Sequence, residues 1–370
     1  MIRRIRWIPL ALVILLVIGF FFLKNEEDET AEHAAAEEKQ ATMTSFLPTR
    51  VHEDRTYEGY PSSKLSTLLL IGYDHMDEGT LDEETRNFNQ GGQSDFLLLL
   101  VMDHENQRIR QLQINRDTLT DVKFYSNRGS YYGTRRMQIC LSHAYGDTQE
   151  MNNRNTIWAV ENLLGIAGEG DGAQIDGYLS MDITGIDRLN DLLGGVTVPI
   201  EDDFSYYDPT MVQGTSMLLN GPQAQIYCRQ RYHIGDQSNE NRMRRQRIYM
   251  DAAILRLKSL VEADKSFAKD VLNGMGLIFD KSRMLDESFG FTLSDDGGTP
   301  VTDTPTHYLM TDKSLDSIAG LLLRVMSYEI AELETLPGEH RLGTSGYMEF
   351  VTEKNAGLNW ALDVLYRPLQ

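Results

Sequence analysis

The chain has 370 residues, and its 55 acidic against 35 basic side chains give a formal net charge of −20. That balance argues against a nucleic-acid role, because affinity for DNA or RNA rests on distributed Lys and Arg neutralising phosphates. A hydrophobic content of 41% is enough for a substantial core, and two cysteines, Cys140 and Cys228, are too few for a disulfide scaffold or a zinc cage. They are read as free, buried thiols, with pairing in an oxidising compartment as the alternative.

Residues 1–6 carry Arg3, Arg4 and Arg6, and an apolar run from Trp7 to Leu23 leads to Lys24 and the acidic E-E-D-E. The run is at the low end for a bilayer span but longer than a usual signal-peptide core, and no small-residue cleavage site follows directly. It is read as an uncleaved signal anchor, a single transmembrane helix; a cleaved signal peptide is the alternative. Arginines on its N-terminal side put the N-terminus in the cytoplasm and the remainder outside the cell membrane. Residues 24–62, rich in Glu, Ala and Thr, read as an extracellular spacer.

From about residue 65 to 370 the pattern is that of one continuous domain. Ser66–Gly72 and Asp95–Met102 are apolar without alternation, as strands covered on both faces are. Ile109–Ile114 alternates and suits a hairpin partner for its predecessor. A polar loop with the Gly91-Gly92 pair separates the first two strands. Helical periodicity runs from Gln149 to Leu164, followed by a strand near Gly177–Met181, a helix near Ile183–Leu193 and a strand at Val196–Ile200. Gly221-Pro222 reads as a helix start, and a long helix is expected from Asn239 to Leu260. Gly290–Thr306 reads as an exposed loop, Ser314 as the cap of a helix carrying Leu321 and Val325, and Leu358, Ala361, Leu362 and Leu365 as one face of a final helix. Strands alternating with helices indicate a layered α/β architecture.

Three sets of residues carry chemistry. Asp74 and Asp95 end and begin neighbouring strands; they either cap turns or share Mg²⁺, which takes oxygen ligands and bridges to phosphates. Asn115-Arg116-Asp117-Thr118 follows the alternating strand, either as a surface ion pair of little worth or as an arginine aimed at a phosphate and oriented by its aspartate. The third set is a reversal of sign in an acidic chain: Arg229, Arg231, Arg242, Arg244 and Arg245 lie close in sequence. On a helix beginning near Asn239, Arg242, Arg245 and Gln246 share a face. A solvated basic face is the ordinary alternative, but like charges this close repel unless an anion or carboxylates lie between them, and the arginine fork matches phosphate oxygens. The chain has no phosphate-binding Walker loop, nucleophile elbow or H-E-x-x-H helix, and His143 and His233 read as structural or solvent-exposed.

The colinear series L-L-L-I-G-Y-D, Q-S-D-F-L-L-L-L-V-M-D, I-N-R-D-T, H-A-Y-G, L-L-G-G-V-T-V-P-I, L-N-G-P-Q-A-Q-I-Y-C-R-Q-R and N-R-M-R-R-Q, from about residue 66 to 250, resembles the LytR-CpsA-Psr family. The resemblance implies an α/β/α sandwich around a mixed central sheet, displayed outside the membrane. It implies a phosphotransferase that moves an anionic glycopolymer, of teichoic acid or capsule type, from an undecaprenyl-pyrophosphate carrier to peptidoglycan. Polyprenyl-pyrophosphate hydrolysis and non-catalytic binding or scaffolding of lipid-linked polymer are the alternatives. Carried over by motif, Asp74 and Asp95 hold Mg²⁺ (or Mn²⁺), Arg116, Arg229, Arg231 and Arg242 grip the pyrophosphate, Asp117 supports them and is a candidate base, and Arg245, Gln246 and Arg136 complete the substrate site. An apolar pocket takes the polyprenyl chain. The chain departs from the family pattern at Gln93, where an arginine is usual, at Asn115 in place of proline, at Gln138 in place of a basic residue, and at Asn239 and Asn241 in place of Asp and Gly.

Overall fold

Two apolar runs form the centre of the molecule. Leu65–Tyr73 and Ser94–Asp103 pair antiparallel. Successive side chains of a strand point to opposite faces, so Leu69, Ile71, Leu97 and Leu99 enter one core while Leu68, Leu70, Leu98 and Leu100 enter another. Each buried leucine contributes about 1.5–3 kcal/mol relative to exposure. Continuous apolarity in these strands therefore reflects two covered faces.

The structure, a computed structural model, describes residues 49–61, 63–74, 92–125, 130–146, 148–167, 175–183, 185–264, 267–279, 308–313, 321, 325, 328–344 and 346–369. In chain order the strands are β1 (Thr49–His52), β2 (Arg55–Gly59), β3 (Leu65–Tyr73), β4 (Ser94–Asp103), β5 (Arg108–Ile114), β6 (Leu119–Tyr125), β7 (Tyr131–Gln138), β8 (Gly177–Asp182), β9 (Val196–Pro199), β10 (Ser216–Leu219), β11 (Leu277–Phe279), β12 (Leu309–Thr311), β13 (Glu329–Thr335), β14 (Gly338–Leu342), β15 (Met348–Thr352) and β16 (Tyr366–Pro368). The helices are α1 (Gln149–Leu163), α2 (Gly185–Leu192), α3 (Gly221–Arg229), α4 (Asn239–Ala263), α5 (Phe267–Met275) and α6 (Ala356–Val364).

The central sheet runs β11-β12-β8-β3-β4-β5-β13. It is mixed: β3 is antiparallel to β4 and parallel to β8, and β5 is antiparallel to β4 and parallel to β13. Helices cover both faces. Ile157 and Val160 of α1 and Leu362 of α6 pack with Leu69 and Leu97, and Met250 of α4 packs on the core of Leu68 and Leu98. A third core, with Leu189, Tyr227 and Tyr249, joins α2, α3 and α4 to β9 and β10.

Local capping explains where the helices begin. Thr148 accepts from the Met151 amide at 3.2 Å to start α1, and Ser238 accepts from the Asn241 amide at 3.1 Å to start α4. Asn220 and Gln223 form a reciprocal capping box around Pro222 at the start of α3. Both cysteines are free and buried.

The spacer reading is corrected at its C-terminal end. β1 and β2 form a hairpin, and β2 pairs with β16, so the folded unit begins at least as early as Thr49 and closes on the last strand of the chain. The backbone partner supplied from more than 300 residues away orders a segment too poor in apolar residues to order itself. The anchor Trp7–Leu23 and the Gly290–Thr306 loop lie outside the described residues, as does most of the helix expected after Ser314. Among the described residues no helix is long and apolar enough to cross a membrane.

Candidate active site

The site begins where β3 and β4 end side by side. Asp74 donates its amide to the Gln93 carbonyl at 3.0 Å, and its Oδ1 accepts the Gln93 amide. Gly92 makes this closure with φ of +68°, and a Cβ there would lie 1.4 Å from the Asp74 carbonyl oxygen. We expect Gly92→Ala to displace Asp74 and lower the unfolding free energy by about 1–3 kcal/mol in urea titration; unchanged stability would refute the close approach.

Asp95, 6% exposed, accepts Arg116 Nη1 at Oδ1 and Arg242 Nη1 at Oδ2, the latter at 3.1 Å. Arg116 comes from the turn after β5 and Arg242 from the first turns of α4, so three separate elements converge on one carboxylate. The other nitrogen of the Arg116 fork donates to Gln93 Oε1 and approaches Cys140 Sγ at 3.3 Å. Arg242 also donates to Asn239 Oδ1 at 2.6 Å. Among the described residues neither Nε has a hydrogen-bond partner, although Arg116 Nε lies within ion-pair reach of Asp117. Burial, reinforced by the facing charges of Arg116 and Arg231, pulls the Arg242 pKa down. An arginine stays protonated at neutral pH, so this marks a buried cation; at Arg116 burial acts in the same direction, but contact with Cys140 and the facing charges of Asp117 and Asp74 raise its pKa overall.

Neighbouring contacts fix the geometry. Asn115 Oδ1 accepts the Asp117 amide at 3.0 Å and the Asn239 side chain at 2.7 Å, which ties the β5 turn to α4. Two departures from the family pattern, Asn115 and Asn239, are thus partners of each other. Asp117 Oδ1 accepts Gln138 Nε2 at 3.2 Å and lies 3.6 Å from Arg116 Nε. The hairpin β14–β15 closes this side: the Phe350 amide donates to the Asp117 carbonyl at 2.8 Å, Gln138 donates to the Met348 carbonyl at 2.7 Å, and His340 contacts Glu240 at the start of α4. Sequence reasoning missed this hairpin and the parts played by Gln93 and Cys140. Arg341 of β14 pairs with Glu349 of β15 and not with the site, and only the backbone of the hairpin reaches Asp117.

Other expected site residues are distributed differently. Arg231 faces Arg242 and bonds the Tyr232 hydroxyl at 2.9 Å. Arg229 ends α3, half-buried, with no ion pair among the described residues. Arg245 is corrected from substrate ligand to strut: 2% exposed, it donates to the carbonyls of Tyr227 and Gln230 and to Asp202, so every nitrogen is held by protein. We expect Arg245→Ala to cost about 3–5 kcal/mol of stability in urea titration, because Asp202 and two carbonyls lose their donor, while pyrophosphate affinity per folded molecule falls less than in Arg242→Ala. Arg136 is likewise corrected. It is exposed on β7 opposite Asp121, and Gln138 holds the place beside Asp117. His143 is buried and stacked on Tyr73 at 4.4 Å, and His233 is exposed.

An apolar cavity adjoins the arginines. It opens to solvent and is lined by residues including Leu70, Phe96, Leu179, Ile186, Tyr249 and Met250. Gln246, one turn along α4 from Arg242, also lines it, donating to the Cys228 carbonyl at 3.2 Å while its Oε1 is buried without a partner. The polar cluster and the cavity therefore meet at α4.

Asp74 and Asp95 keep lone pairs that a cation could use but do not build a cage. Among the described residues no group of three or more His, Cys, Asp or Glu could cage a metal. Asp74 uses one oxygen on the Gln93 amide and Asp95 uses each oxygen once, but a carboxylate oxygen has a second lone pair. Two carboxylates with phosphate oxygens and water are a normal set for Mg²⁺.

Fold and site together define an α/β/α protein with two arginines converging on Asp95 beside an apolar cavity. The LytR_cpsA_psr family model matches residues 19–273, and the chain belongs to that family. It is 31% identical over 171 residues, 46% of this chain and 49% of the other, to a polyisoprenyl-teichoic acid–peptidoglycan teichoic acid transferase TagU of Halalkalibacterium halodurans. To TagV of Bacillus subtilis, a transferase of the same description, it is 28% identical over 183 residues, 48% of this chain and 42% of the other. The chain spans about half the length of the curated relatives it matches. Among solved structures, a Streptococcus agalactiae protein aligns with a TM-score of 0.57 at 18% identity, over 82% of this chain and 87% of the other. Similarity at that level supports the fold alone.

Proposed function

We propose that this protein transfers an anionic glycopolymer from a polyprenyl-pyrophosphate carrier to peptidoglycan, anchored in the cell membrane by Trp7–Leu23 with the folded domain outside. The carrying observation is the cluster in which the buried Arg242 and the partly buried Arg116 both pair with Asp95, with Asp117 beside Arg116, next to an apolar cavity. A pyrophosphate joined to an isoprenoid matches both halves. The transferase activity for which the Halalkalibacterium halodurans and Bacillus subtilis relatives are named agrees with this reading.

In the reaction, an acceptor hydroxyl attacks the glycan-linked phosphorus, the P–O–P bond breaks, and polyprenyl monophosphate leaves with the displaced oxygen and the hydroxyl's proton. The product is a glycan phosphodiester on peptidoglycan. Arg116 and Arg242 hold phosphate oxygens and stabilise the charge that spreads over them in the transition state. Arg229 and Arg231 extend the positive rim, Asp117 orients Arg116 and Gln138, and Gln246 marks the boundary between polar head and lipid. Asp74 and Asp95 would hold Mg²⁺ or Mn²⁺, which neutralises phosphate charge when bound.

The test incubates the purified full chain with a short-chain polyprenyl-pyrophosphate glycan, peptidoglycan oligomers and Mg²⁺, with mass spectrometry of the products. Glycan phosphodiester on peptidoglycan, lost in Asp95→Ala, supports the transferase. Glycan phosphate released without attachment identifies a hydrolase, and lipid binding without product identifies a carrier or scaffold.

A further inference from the structure

Beside Arg231, two loops expose aromatic rings that the pyrophosphate reading leaves unused. Tyr206 and Tyr232 are 66% and 59% exposed. His233 stacks on Tyr206 at 4.0 Å, with the rings 25° apart, and the Arg231 guanidinium lies 4.9 Å over the Tyr232 ring. Aromatic surface left in water is unfavourable, and an exposed cluster of it marks an interaction site.

The loop that carries these rings is tightly held. Ile234 is fully buried in the core shared by α2, α3 and α4. Gly235 approaches so closely that a Cβ would lie 2.1 Å from Asn241 Nδ2 and 2.8 Å from Asp202 Oδ1. His233 has φ of +59°, a region costly for a residue with a side chain, and its amide is taken by Gln237 Oε1 at 3.3 Å. Core anchoring on one side and a strained backbone on the other hold the rings outward.

Charge selects the ligand. The same two loops carry Asp203, Asp208 and Asp236, whose carboxyls are kept below the usual range by hydrogen bonds from Ser205, Thr210 and Ser238 respectively. Arg244 pairs with Glu201 and Asp202, so it does not offset these three. Against these three carboxylates the loops set one arginine, Arg231 over the Tyr232 ring, so the balance disfavours a polymer of repeating phosphates away from Arg231. An uncharged pyranose, with an apolar face for the rings and hydroxyls for the carboxylates, is accepted.

We propose that Tyr206, Tyr232 and His233 form a shelf that binds an uncharged pyranose of the acceptor glycan and presents its hydroxyl toward Arg231 and the pyrophosphate site. This assignment rests on the transferase reading for its direction, but not for its ligand. The experiment titrates the detergent-solubilised full chain with chitohexaose and, separately, with a glycerol-phosphate oligomer of similar length, following tyrosine fluorescence and calorimetry. Chitohexaose binding that weakens at least tenfold in Tyr206→Ala/Tyr232→Ala, and is retained in Tyr206→Phe, supports the shelf. Preference for the phosphate oligomer, or unchanged chitohexaose affinity in the double variant, overturns it. In the transfer assay the double variant raises KM for peptidoglycan oligomers; a rise confined to the lipid-linked donor also overturns it. Sugar binding needs no turnover, so an absence of transfer with tyrosine-dependent chitohexaose binding refutes the transferase reading and leaves the shelf standing.

Discussion

Arg116→Ala is expected to lower turnover of the lipid-linked glycan about 10³-fold while shifting Tm by no more than about 3 °C. The two halves of this expectation have separate causes. One Arg116 fork touches Asp95, Gln93 and Cys140 at once, so its loss removes the group that aligns the β3–β4 end with the β5 turn and faces the anion. Stability is buffered because Asp95 keeps Arg242 as a partner, and the repulsion between Arg116 and Arg242 disappears along with the attraction. Arg116→Lys is expected to rescue little, since an ammonium cannot reach Asp95 and Gln93 together as a planar fork does. Thermal unfolding and single-turnover rates on the same preparations decide it. Activity within tenfold of wild type, or a Tm loss that accounts for the missing activity, would sink the assignment.

Much of the central sheet was legible because its signals are local. Leu68–Ile71 and Leu97–Val101 are apolar on both strand faces, and only strands sandwiched between helices need that pattern. The antiparallel partner Ile109–Ile114 could be read from its alternation. Pairings made by backbone over long separations left no such trace. β2 with β16, and Phe350 with Asp117, join segments whose side chains are mixed and half-exposed, so nothing in the residues themselves announces the partner.

The candidate site shows the same division. Arginines crowded in sequence signalled an anion, but spacing on a helix could not separate Arg242 from Arg245. Three positions apart, they are both buried, yet one points at Asp95 and the other at carbonyls at the end of α3. What distinguishes them is the position of α3, a tertiary fact. Arg136 failed for a related reason: its neighbour Gln138, an uncharged residue, is the one that reaches Asp117.

Asp95→Asn should lower Tm by roughly 6–10 °C in metal-free buffer, and inorganic pyrophosphate should recover more of the variant's stability than it adds to wild type. The carboxylate is the charge that lies between Arg116 and Arg242, with Arg231 also facing Arg242. An amide of the same shape offers one acceptor and turns its NH₂ toward the other guanidinium, placing donor against donor. Removing the partner of buried charges costs about 3–5 kcal/mol. A bound anion supplies oxygens where the carboxylate was lost, so its stabilisation adds a larger increment to the variant than to wild type, where Asp95 already occupies the arginines. Thermal unfolding with EDTA, with and without pyrophosphate, measures both quantities; repeating it with Mg²⁺ reports separately on the cation, whose stabilising effect should be lost with the carboxylate. Equal stability of Asp95→Asn and wild type would mean that the arginines are compensated elsewhere, and the pairing of two arginines on Asp95, on which the transferase reading rests, would be gone. A larger pyrophosphate shift in wild type would mean that the anion binds away from Asp95, and that the cluster is structural.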